Sequence, residues 1–131
     1  MPHDPRYDLA DEFLDAVYAL WEGSWDDGAV IADRDNGVFA EPSRIRKVHH
    51  HGQHFKVDAI HLVHPSPQRT PFLFQAGASN RGKDFAARHA EAVFLGEHSK
   101  SRTAANVAET RARARTFGRD GRDIRFFGLI T

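Results

Sequence analysis

Three short apolar runs, separated by two stretches of helical periodicity, constrain this chain more than any other feature. The runs are Pro71–Gln75 (PFLFQ), Ala92–Leu95 (AVFL) and Ile124–Thr131 (IRFFGLIT). Between the first two, residues Asn80 to about Ala90 place Phe85, Ala86 and His89 on one helical face. Between the second and third, residues 101–117 predict a helix with Ala104, Val107, Ala108 and Ala114 inward and Gly118 as its stop. Strand–helix–strand–helix–strand reads as a parallel α/β sheet, because parallel neighbours need long crossovers. The three runs are therefore expected to be parallel neighbours with both helices on one face, since crossovers keep a single hand.

The first half reads differently. Residues 4–22 predict a helix with Asp4 as N-cap and Pro5 at the first helical position. Leu9, Phe13, Val17, Leu20 and Trp21 form its apolar stripe, which predicts core packing, and Gly23 is the expected stop. Residues 23–70 hold Gly23, Gly28, Gly37, Gly52, Pro42, Pro65 and Pro67 and are expected to be irregular. Short extended pieces are predicted at Ala29–Ala32, Val38–Ala40 and His54–Val57, with turns at Asn36-Gly37 and His51-Gly52. So long a stretch without helix reads as a functional insertion or lid.

Composition narrows the class of protein. Lys+Arg and Asp+Glu are both 18, which disfavours a strongly basic nucleic-acid binder and an acidic tail protein. The balance hides an asymmetry: residues 1–41 carry a net −9 and residues 42–131 a net +9. Either the halves face each other in the fold, or the basic half meets an anionic ligand. Cysteine is absent, which excludes disulfides, thiolate zinc sites and cysteine nucleophiles. No apolar run approaches the roughly 20 residues of a membrane span, and MPHDPRYD lacks the apolar stretch of a secretory signal. A cytoplasmic protein without nucleic-acid or membrane partners is the expectation.

Four groups of residues are candidates for chemistry. The loop Gly77-Ala78-Ser79-Asn80-Arg81-Gly82 follows a predicted strand and opens a predicted helix. Free N–H groups at such a helix start form an anion site, and Gly77 permits close approach of a ligand. The same pattern also serves as a turn with Ser79 as N-cap. His3 and Tyr7, four residues apart, share a helix face; the plainer reading is an exposed His and a half-buried Tyr. His49, His50, His51, His54, His61 and His64 form a cluster whose spacing is loose for a metal, so no metal site is expected and solvated residues are. Arg111, Arg113, Arg115, Arg119, Arg122 and Arg125 are spread round a helix and beyond it, and read as a solvated face. The nucleophile elbow G-x-S-x-G and the nucleotide motifs G-x-G-x-x-G and G-x-x-x-x-G-K-[ST] are all absent.

The ordered blocks HDPRYDLADEFLDAVYALWEGSW (3–25), GVFAEP (37–42), GQHFKV (52–57), PSPQRTPFLFQAGAS (65–79), RGKDFAARHAEAVFLG (81–96) and FGRD…IRFF (117–127) resemble the bacterial luciferase-like FMN-dependent monooxygenases. The subgroup resembled acts on nitrilotriacetate, dibenzothiophene sulfone and long-chain alkanes. The resemblance covers essentially the whole chain. It implies a partial (β/α)8 TIM barrel of about three parallel strands with helices and an irregular insertion, a central fragment of one domain. It implies reduced FMN, supplied by a separate flavin reductase, and O2, one oxygen atom of which enters a small organic substrate. It implies that His3 and Tyr7 contact the flavin, and that the loop of Gly77, Ala78 and Ser79 holds the FMN phosphate. Ala78 stands where the family often has a second serine, so it offers only its backbone N–H.

The length departs from the family's. A barrel of this type needs about 200 residues or more, and the catalytic residues are expected in the N-terminal half of the family's chain. The sequence reads as the middle of such a monooxygenase, from a truncated frame, a remnant or a split gene. The alternative expectation is a non-catalytic FMN- or phosphate-binding half-barrel, either a homo-oligomer or a partner for the complementary barrel half. Asp58, Ala59 and Ile60 also depart from the family's usual finish to the block that begins at Gly52.

Overall fold

In the computed structural model, the described residues run from 3 to 128, the side chain of His3 excepted. They divide into two compact units: Asp8–Pro71, and a second that joins the chain from Phe72 onward to the first residues through Tyr7.

Helix α1 (His3–Gly23), of which residues from Asp8 onward belong to the first unit, is already under way at His3, so Asp4 lies within its first turn rather than at its cap. Among the described side chains of α1, only Ala16 is buried, and Phe13 is 51% exposed. The expected core stripe is therefore a half-buried one. Residues 23–70 contain two antiparallel hairpins where mostly irregular chain was expected. Strands β1 (Val30–Asp33) and β2 (Val38–Ala40) pair across the Asn36-Gly37 turn, where Asp33 Oδ1 accepts the Asn36 N–H at 3.1 Å and Gly37 has φ +67°. Strands β3 (Val48–His51) and β4 (Lys56–Ala59) pair across Gly52. Three consecutive histidines hide the period-two alternation of β3 from a hydropathy reading. The chain that follows is tied back to the end of α1. His61 N–H donates to buried Ser24 Oγ at 3.0 Å, Trp25 Nε1 to His61 O at 2.9 Å, and Arg69 Nη1 to Trp25 O at 2.8 Å.

A single carboxylate closes the β3–β4 turn. Glu12 accepts the backbone N–H groups of His54 (2.9 Å) and Phe55 (2.7 Å), with His50 Nε2 at 3.4 Å. Burial works to raise its pKa, but these donors outweigh burial and hold the carboxyl below its ordinary value. The clasp is therefore complete above the ordinary carboxylate range and is lost as pH falls through the lowered pKa. Glu12→Ala is expected to remove hydrogen-exchange protection from the His54 and Phe55 amides while Val93 stays slow. Undiminished protection at His54 would show that the clasp does not order the turn.

The second unit carries the parallel sheet. Its strands are β5 (Phe74–Ala76), β6 (Ala92–Leu95) and β7 (Arg125–Gly128), in that order and all parallel, as expected from the sequence. Residues 129–131, the end of the third apolar run, lie outside the described residues. Helices α2 (Asn80–His89) and α3 (Lys100–Thr116) form the two crossovers. Ala86, Ala87 and Ala90 from the α2 end and Ala114 from α3 pack with Val93, Leu95 and Ile124, so both helices cover one face. The buried positions of α3 are Thr110 and Ala114, with Thr103 and Val107 half-buried; Ala104 and Ala108, expected inward, are exposed. The true stripe repeats as 103, 107, 110 and 114, and its two threonines masked it.

Candidate functional site

The carboxyl ends of the three parallel strands open together, as they do wherever α/β folds bind ligands. After β5 the chain turns at Gly77, whose φ of +146° is open to glycine and strained for other residues. Ser79 then caps α2: its backbone is extended, and its Oγ accepts the Gly82 N–H at 3.0 Å. The capping reading of Ser79 is therefore realised in the structure. It leaves the hydroxyl proton available, because a serine oxygen can accept and donate at once. The N–H groups of Asn80 and Arg81 have no acceptor within their own helix, since they belong to its first turn. Ala78, Ser79 and Asn80 are exposed.

Tyr7 completes this loop from far away in sequence. A Cβ on Gly82 would lie 2.7 Å from Tyr7 Oη, and one on Gly77 would lie 3.2 Å from it. Two glycines thus leave room for a phenol oxygen beside the start of α2. The Tyr7 ring is set by Phe85, with centroids 5.4 Å apart, and by the Arg81 guanidinium, 5.7 Å from its centroid. Of the five residues expected at the site, Tyr7, Gly77, Ala78 and Ser79 are brought together; the side chain of His3 lies outside the described residues.

Sequence reasoning missed the group that braces the loop. Arg113 Nη1 donates to Asn80 O and to Asp84 Oδ1, each at 2.8 Å, and its Nη2 pairs with Glu109. Burial works against the Arg113 charge, but Asp84 and Glu109 outweigh it and raise the pKa. Lys83 Nζ also reaches Glu109, at 2.6 Å, and with Arg113 holds that carboxyl low. Arg119 donates to the carbonyls of Ala87 (2.9 Å) and Ala90 (2.8 Å) at the other end of α2. The arginine series is thus partly structural rather than a solvated face. Glu109 is one helical turn from Arg113, but Asn80, Asp84, Ala87 and Ala90 lie 29 to 33 residues from the arginines that bind them, which no local pattern reveals.

Beside the loop lies a cleft of about 420 Å³, lined by residues 76–78, 94–96 and 128. The sheet face that leads into it carries Phe74, Phe94 and Phe127, their rings 5.4 to 6.2 Å apart and each about half exposed.

The histidine cluster is elsewhere. His49 Nδ1 (2.5 Å) and His51 Nε2 (2.9 Å) share the Asp58 carboxylate, which they hold below its ordinary pKa. No group of three or more His, Cys, Asp or Glu among the described residues is disposed to hold a metal ion. Among the same residues, no helix is long and apolar enough to cross a membrane.

The family model for luciferase-like monooxygenases matches residues 1–131. The chain is 49% identical over 130 residues to the long-chain alkane monooxygenase of Geobacillus thermodenitrificans, covering 99% of this chain and 30% of that protein. It is 44% identical over 131 residues to the dimethyl-sulfide monooxygenase of Hyphomicrobium sulfonivorans, covering 100% of this chain and 27% of that one. A crystal structure of a riboflavin lyase with modified FMN and riboflavin superposes with a TM-score of 0.92 at 39% identity, over 99% of this chain and 29% of that one. The chain therefore spans less than a third of the length of each of these relatives. Its three parallel strands and covering helices are a portion of a TIM barrel, and the chain belongs to the luciferase-like monooxygenase family.

Proposed function

We propose that this chain supplies the phosphate-binding portion of an FMN-dependent, two-component monooxygenase, with reduced flavin delivered by a separate flavin reductase in the cytoplasm. The observation that carries the reading is the Gly77–Gly82 loop at the carboxyl end of β5, with the Tyr7 hydroxyl brought to it. The residues fit a phosphate: Gly77 and Gly82 let the Tyr7 hydroxyl approach the loop, the first turn of α2 presents backbone N–H groups, and Ser79 adds a hydroxyl. Bound reduced FMN would supply the electrons that let O2 oxygenate a small organic substrate. The chain's own part is to hold the phosphate at Ala78–Arg81 and to place the Tyr7 hydroxyl, with His3, against the rest of the cofactor. The positive end of the α2 dipole and the Arg81 charge favour the dianion.

The second reading, an FMN-binding half-barrel without chemistry of its own, draws on the open aromatic face. Phe74 and Phe127 are 56% and 46% exposed, a cost that a complementary set of strands or a second copy of the chain would remove. Both readings share the phosphate site, so one experiment tests it. Ser79→Ala is expected to weaken FMN binding, followed by quenching of flavin fluorescence, by about 1.5–3 kcal/mol, the range for a hydrogen bond to a charged group. Ser101→Ala, on α3, should leave it unchanged. Equal FMN affinity in Ser79→Ala and the parent chain would remove Ser79 from the site.

A further inference from the structure

Gln75 stands where packing alone would place an apolar side chain. Alternation along β5 puts the exposed Phe74 and Ala76 on the open face of the sheet and Gln75 on the face that the helices cover. Its neighbour across the ladder is Val93, which is 1% exposed and belongs to the core cluster. Gln75 Oε1 is shielded from solvent and accepts no hydrogen bond among the described residues. A buried acceptor without a donor subtracts from stability, so an apolar residue of the same length would serve the core better. The amide therefore calls for a reason other than packing.

We propose that Gln75 is a positioning residue, whose amide N–H steers the Tyr7 hydroxyl toward the bound cofactor. The proposal rests on the flavin reading only for what that hydroxyl meets. The two side chains converge on one place: a Cβ on Gly77 would lie 3.4 Å from Gln75 Nε2 and 3.2 Å from Tyr7 Oη. Glycine at 77 thus puts no side chain between amide and phenol. The Tyr7 ring is held by Phe85, so rotation about the C–O bond is the freedom that the hydroxyl keeps. A phenol oxygen that takes an N–H from the amide turns its own proton away from Gln75. The same oxygen borders the start of α2, where a Cβ on Gly82 would lie 2.7 Å from it and 3.0 Å from Ser79 Oγ. Gln75 thereby makes Tyr7 a donor on the ligand side of the sheet. A polar group kept there at a cost to stability is the trade that a functional position makes.

The test reads the ¹³Cζ signal of Tyr7 in the whole chain labelled at the tyrosine ζ carbon. Tyr7 and Tyr18 are the two tyrosines, so Tyr18→Phe assigns the signal. Gln75→Met keeps the side-chain length and removes the amide. It is expected to shift the Tyr7 signal and to weaken FMN binding roughly three- to tenfold, the range of one neutral hydrogen bond. The thermal midpoint is expected to stay in place or rise. Gln75→Leu replaces Gln75→Met if that variant does not fold. Gln68→Leu, at an exposed position, should leave signal, affinity and midpoint in place. An unmoved Tyr7 signal overturns the proposal, as does a parent chain that binds FMN no better than Gln75→Met does. A lowered midpoint also overturns it, because the amide would then be serving the core. If the parent chain binds no FMN, yet the Tyr7 signal moves in Gln75→Met at an undiminished midpoint, the flavin reading fails and the orientation of Tyr7 by Gln75 stands.

Discussion

Ile124→Ala is expected to lower the stability of the three-stranded unit by about 2–5 kcal/mol, the range for truncating a buried aliphatic side chain. Ile124 is 0% exposed and is the largest fully buried side chain in a cluster with Val93, Leu95 and four alanines, against which Val107 and Phe126 pack. Alanine neighbours have no length with which to close the hole, so the loss belongs toward the upper end of that range. Domains are stable by only about 5–15 kcal/mol in all. The residue also leads into β7, where Arg125 N–H donates to Glu91 O at 2.8 Å. Its loss therefore loosens the strand pairing that aligns the carboxyl ends. Chemical denaturation monitored by circular dichroism reads the effect, and an unshifted midpoint would contradict the packing described.

Gly121→Ala is expected to cost about 1–3 kcal/mol or more by overpacking. Here the obstacle is backbone: a Cβ would lie 2.6 Å from Arg111 O and 2.8 Å from Arg111 Cα. Helix α3 and the 121–123 turn can approach this closely only because residue 121 has no side chain. The neighbouring turn carries Arg119, which is bound to the carbonyls of Ala87 and Ala90, so displacement would reach the end of α2. Gly96→Ala, at a position with open space, is the matched control and should leave the midpoint in place. Equal midpoints for the two variants would show that the close approach at Gly121 is not a constraint.

The parts of the fold legible in the sequence are those where local pattern and burial agree. Ala92–Leu95 matches β6 residue for residue, because a parallel strand covered by helices reads as an unbroken apolar run. The helix ends at Ser79 and Gly118 are equally plain, one through a capping side chain and the other through φ +74°. Helix α3 was harder, because alanine suits either side of a helix and threonine can be buried. Strand β3 was missed because its alternation runs through like residues. At the site, the Gly77–Ser79 loop could be read from its strand–turn–helix spacing, and Tyr7 was a candidate from the helix face it shares with His3, its flavin role coming from family resemblance. The brace of Arg113 on Asn80 had no signal, since nothing local says which acid or carbonyl a long side chain will reach.

The phosphate reading is tested most directly by comparing FMN with riboflavin, which differ by the phosphate alone, on the ¹⁵N-labelled chain. FMN is expected to shift the backbone amides of Ala78 to Arg81 and to bind at least about tenfold tighter than riboflavin, as charge-assisted hydrogen bonds to the phosphate require. Equal affinities for the two flavins, or FMN shifts that spare Asn80 and Arg81, would contradict the assignment of this loop as the phosphate site.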